Sequence, residues 1–186
     1  MSGICRKTES PYHEAVFGID LGLEMGEERD MQVHTAVSPW WAALTVWGIV
    51  NAVNLLQAAG FVSRVLTGSM EVNHLLGRVM IGLAIPAVVT LVAFARAGAG
   101  WRYWIGPGVY VAFVALMIAV EYVWPVEFRS PMRYDILVPY LVLFFGAILW
   151  MGLPMFRMNR PLWLVTVGTT VLLLSSMAFA MSKGVG

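Results

Sequence analysis

The chain is short of charge. Only 12% of its 186 residues are Asp, Glu, Lys or Arg, about half the share usual in soluble domains. That scarcity excludes an ordinary water-facing surface and points to lipid as solvent. Cysteine is nearly absent, with Cys5 alone, which excludes an internal disulfide and the paired thiols of membrane disulfide exchange. No CxxC or CxxCH occurs, so zinc ribbons and c-type haem attachment fall away. The three histidines, His13, His34 and His74, lie outside the strongly apolar runs. This argues against two axial His ligands on facing spans and leaves a serine nucleophile in a span without its base. There is no glycine-rich phosphate cradle, no GxSxG and no HExxH, so nucleotide-driven transport and the common hydrolase chemistries are not expected from this chain. No cofactor, metal site or nucleic-acid partner is expected.

What is present is apolar. Hydrophobic residues make up 59%, and there are 8 Trp, a residue that favours the bilayer interface because its ring is apolar while its N–H seeks a partner. The sequence predicts an all-α integral membrane protein, a bundle of about five transmembrane helices. A span needs about 20 mostly apolar residues, and five stretches qualify: about 40–62, 75–95, 103–124, 136–156 and 161–181. Ser38-Pro39 supplies a cap and first-turn proline for the first, Pro86 sits at the centre of the second, and Gly106-Pro107-Gly108 falls near the start of the third. Only Arg157-Met158-Asn159-Arg160 separates the last two, which predicts a tight antiparallel hairpin.

Residues 1–38 are chemically distinct, with three bases against seven acids, whereas residues 39–186 hold nine bases and four acids. They lack the apolar core of a signal peptide, and a disordered acidic tail is expected. Gly26-Glu27-Glu28-Arg29-Asp30 can be encoded by a purine-rich run resembling a prokaryotic ribosome-binding site, so a second reading has translation start at Met31; the protein is expected in the cell membrane of a prokaryote. Orientation follows Lys and Arg in short loops. Arg96, Arg102, Arg157 and Arg160 lie on one side, and Arg64, Arg78, Arg129, Arg133 and Lys183 on the other. Adding Arg6, Lys7 and Arg29 from the tail favours the N-terminus inside and the C-terminus outside, a preference that disappears if the chain starts at Met31.

Two constellations are candidates for chemistry. The junction of spans three and four runs from Glu121 to Asp135 and packs three of the four acids outside the tail, Glu121, Glu127 and Asp135, beside Arg129 and Arg133. Glu121 falls just inside the interfacial aromatics Tyr122 and Trp124, where an unpaired carboxylate is costly; Arg129 or Arg133 is its expected partner through a bidentate guanidinium contact. Such a junction acts either as a brace between two helices or as a gate for a cation, proton or polar headgroup. In span one, Trp47, Asn51, Asn54, Gln57 and Arg64 fall on one arc of roughly 140° at 100° per residue. Amides at mid-span must face protein or water, so they either bond neighbouring helices or line a polar path.

Lesser features read as architecture. Thr166, Thr169, Thr170 and Ser176 share a face of span five with Gly168 nearby, and Met151, Met155 and Met158 follow helical spacing with no Cys or His beside them. Arg160-Pro161-Leu162-Trp163 resembles a phrase of the tryptophan-rich sensory/translocator proteins, which are also five-span and Trp-rich. Leu164-Val165 stand where that family has paired prolines, and no membership is assigned.

Two functional classes follow. The first is a small transporter, channel or ligand-binding membrane protein, with Asn51, Asn54 and Gln57 as polar lining and Glu121 or Glu127 as gate, enclosed by homo-oligomerisation. The second is an accessory or assembly subunit of a larger membrane complex, without chemistry of its own. A membrane enzyme acting on lipid or quinone through the Glu/Arg junction ranks third. The bilayer is the expected partner in each.

Overall fold

The computed structural model describes residues 39–68, 71–124 and 133–184. The acidic segment 1–38 and the junction residues Glu127 and Arg129 lie outside the described residues. Five α-helices follow in order: α1 (Trp40–Thr67), α2 (Glu71–Arg96), α3 (Trp101–Ile118), α4 (Tyr134–Met158) and α5 (Arg160–Ser182). Among the described residues there is no strand. All five helices are long and apolar enough to cross a bilayer.

The turns end where backbone chemistry dictates. Gly68 closes α1 in the left-handed region at φ 64°, its N–H bonded to the Arg64 carbonyl, a conformation that costs a glycine little. Gly98 does the same after α2 at φ 62°, and the Ala99 N–H returns to the Phe94 carbonyl at 3.0 Å, the closing bond of a Schellman-type cap. Asn159 alone separates α4 from α5: its side-chain oxygen accepts from the Leu162 N–H, and Pro161 stands in the first turn, where no N–H is needed.

Successive helices alternate in direction, so the starts of α1, α3 and α5 gather at one end and their finishes at the other. α1 is the central helix, in contact with α2, α4 and α5, while α3 completes the bundle between α2 and α4. The expected tight α4–α5 hairpin forms. The connection is tight, but α5 packs chiefly along α1, parallel to it, and only lightly on α4. The reason is chemical: the hydroxyl face of α5 has its partners on α1.

α3 and α4 meet most closely at Gly106. A Cβ there would stand 2.7 Å from the Met151 backbone nitrogen, nearer than any packed carbon approaches, so only glycine fits. Farther along the pair, Phe113 packs edge-on against Tyr140 with ring centroids 5.1 Å apart and lies 5.3 Å from Phe144. The outer surface is apolar, with Leu66, Ile85, Val142, Leu149 and Leu164 all exposed. Contiguous apolar faces on this scale do not suit water.

Candidate functional site

The polar arc of α1 divides between two neighbours. Its leading edge meets α5. Trp47 Nε1 donates to the Leu162 carbonyl at 2.9 Å. Asn51 Nδ2 donates to its own helix at the Trp47 carbonyl (2.7 Å) and to Thr166 Oγ1 (3.2 Å), while Asn51 Oδ1 accepts from Thr169 Oγ1 at 2.8 Å. Asn54 Nδ2 donates to Thr169 and Thr170 Oγ1 at 3.1 and 3.0 Å. The trailing edge meets α2. Gln57 Nε2 donates to Met80 Sδ at 3.0 Å. With its amide turned so that oxygen and nitrogen each meet a complementary partner, Asn73 bridges the turn, donating to the Gly60 carbonyl at 3.1 Å and accepting from Arg64 Nε at 2.8 Å. At 100° per residue, positions 57 and 64 lie some 60–80° round the helix from position 54, which is why one arc serves two partners.

Asn51 and Asn54 are buried, Asn54 completely, and one atom of the seam is left over: Asn54 Oδ1 is buried with no hydrogen-bond partner. Such an acceptor costs about 1–3 kcal/mol. A void of about 10 Å³ lined by Val46, Phe94, Tyr103 and Met151 stands at the lower limit for one water. Met151 and Met155 are buried in this core, whereas Met158 is exposed. On α5, Thr166 and Ser176 are buried, but Gly168 faces outward with nothing near it.

The second constellation lies where α3 gives way to α4. α3 does not end as an α-helix; Ala119–Val123 continue it as a π turn. The widened turn brings part-buried Glu121 to Tyr140, whose hydroxyl donates to Oε1 at 3.5 Å. The same turn carries Tyr122 against α2, its hydroxyl 3.5 Å from the space a Cβ on Gly77 would fill. Arg133 is bound to Asp135 at 3.2 Å, both exposed. The sequence missed the Tyr140 contact because a tyrosine 19 positions away carries no local signal, and π turns have no reliable sequence mark. Across the same end, Glu71, His74, Leu75 and Arg78 line an open depression of about 440 Å³ on one face of α2. Among the described residues, no three His, Cys, Asp or Glu side chains gather as a metal would require.

The described geometry thus brings Asn51 and Asn54 together, places Gln57 on a different neighbour, and sets Glu121 apart from both. No protein-family model, curated protein or solved structure matches this chain.

Proposed function

We propose that the chain is a multi-pass integral membrane protein and that it serves as a non-catalytic subunit of a larger membrane assembly. Five long apolar helices with apolar outer faces support the membrane reading. One observation carries the subunit reading: the mid-span amides Asn51, Asn54 and Gln57 are bonded to α5 and α2. Amides engaged in this way fasten helices, and a polar path through the chain would have to break them. The described ends of the Glu121–Asp135 junction then offer charge to a neighbouring subunit, with Glu121 on one side and Arg133 and Asp135 on the other. The cell membrane of a prokaryote remains its expected place.

A second reading has its own observation. The partnerless Asn54 Oδ1 suits a small transporter, channel or ligand-binding protein in which α5 moves from α1 and the amides take a ligand. Isolation of the native protein in mild detergent separates the two. The subunit reading predicts a companion chain of fixed stoichiometry, and Glu121→Gln or Asn54→Leu changing only stability or co-purification. Purification alone, with flux or ligand binding lost in those variants while they still fold, contradicts it.

A further inference from the structure

The two ends of the bundle differ in how their cations are held. At the end where α1, α3 and α5 begin, the charged described residues are Arg96, Arg102, Arg157 and Arg160, all exposed, with no acid among them. At the opposite end, Arg64, Arg78, Arg133 and Lys183 share the space with Glu71, Glu121 and Asp135. There Arg64 is bonded to Asn73 and Arg133 to Asp135. The arginine end is also the tryptophan end: Trp40, Trp41, Trp101 and Trp104 are exposed on it.

Two of its guanidinium groups rest on aromatic faces. Arg102 lies 5.6 Å from the Trp101 ring centre and Arg160 lies 6.0 Å from that of Phe156. Trp101 packs at a tilt against Trp150 of α4, and Phe156 edge-on against Trp163 of α5, with centroids 5.7 and 5.0 Å apart. A stacked guanidinium keeps its N–H fork free, and that fork matches a phosphate bidentately. Exposed Trp rings set the depth of this end at the headgroup layer.

We infer that the Arg96/Arg102/Arg157/Arg160 end is a docking surface for the phosphates of anionic phospholipids, which fixes that end against the anionic leaflet. The inference rests on the membrane reading above and adds a partner to it. Among the described residues of this end the positive charge is unopposed by any acid, and unopposed positive charge meets the leaflet of opposite charge. The arginine end therefore faces the cytoplasm.

The test uses the full chain, since residues 1–38 carry seven acids. The protein is reconstituted in phosphatidylcholine bilayers with and without phosphatidylglycerol, and retained lipids are counted by native mass spectrometry. Wild type retains phosphatidylglycerol in preference, and the preference falls as salt rises because exposed charges are screened. Replacing Arg102, Arg157 and Arg160 by Gln weakens it by about fivefold per residue, whereas Arg78→Gln with Lys183→Gln leaves it in place. A wild-type chain that inserts in phosphatidylcholine and shows no salt-sensitive lipid preference overturns the inference alone, as does equal loss in the two variants. A chain that inserts in neither bilayer overturns the membrane reading with it.

Discussion

Asn54 shows what an amide does at mid-span. Its Nδ2 serves two threonine hydroxyls at once, and those hydroxyls have further acceptors on their own helix: Thr170 Oγ1 lies 2.8 Å from the Thr166 carbonyl. Inter-helix bonds of this kind contribute about 0.6–2 kcal/mol each. Thr170→Val keeps the shape and removes one acceptor, so it should lower stability in detergent by about 1 kcal/mol. Ser175→Ala, exposed on the same helix, should leave the unfolding midpoint unchanged. Glycines give a sharper pair. Gly106→Ala drives a methyl into the Met151 backbone and should cost about 1–3 kcal/mol. Gly48→Ala in α1, with nothing within 4 Å of its Cβ, should be neutral or stabilise by up to about 1 kcal/mol through helix propensity. Thermal unfolding of both variants in one detergent checks the contrast.

At the scale of the element, α1 and α5 form a parallel pair held by a repeated offset: Trp47 to Leu162, Asn51 to Thr166, Asn54 to Thr169. Because the bonds share one register, they should couple. A double-mutant cycle of Asn51→Leu with Thr166→Val is expected to give an interaction of about 0.6 kcal/mol. Strict additivity would mean the seam is only van der Waals packing.

The helices themselves were legible in the sequence, since five apolar stretches of span length leave few alternatives. Their ends were less so. α1 runs on to Thr67 and α2 starts at Glu71, each beyond its apolar core, because Gly60, Arg64 and Asn73 tie that polar turn together. The α1 arc was readable from its 100° spacing, yet nothing local revealed that Trp47, Asn51 and Asn54 face one helix and Gln57 and Arg64 another. Thr166, Thr169 and Thr170 were readable as a face but not as the partners of α1. The sequence pairing of Glu121 with an arginine has a neighbour it did not foresee, Tyr140, brought in by the π turn. Arg133, offered as one partner, is engaged with Asp135.

The described bundle has two unlike ends and an apolar waist. Four of its described arginines, Arg96, Arg102, Arg157 and Arg160, and most of its tryptophans collect where α1, α3 and α5 begin, and its described acids collect at the other end. Because the five helices alternate in direction and each is long enough to cross a bilayer, the two ends of the described bundle would lie on opposite sides of any bilayer it spans. Replacing Cys5 by Ser leaves a chain without thiols, in which single cysteines report sidedness. Ala97→Cys and Met158→Cys mark the arginine end, and Val72→Cys and Ser182→Cys mark the other; all four positions are exposed. In sealed, right-side-out membrane vesicles treated with an impermeant thiol reagent, Val72→Cys and Ser182→Cys should label at once, and Ala97→Cys and Met158→Cys only after the membrane is opened. Labelling of all four before opening, or Val72→Cys and Ala97→Cys sharing one side, would contradict the five-span account.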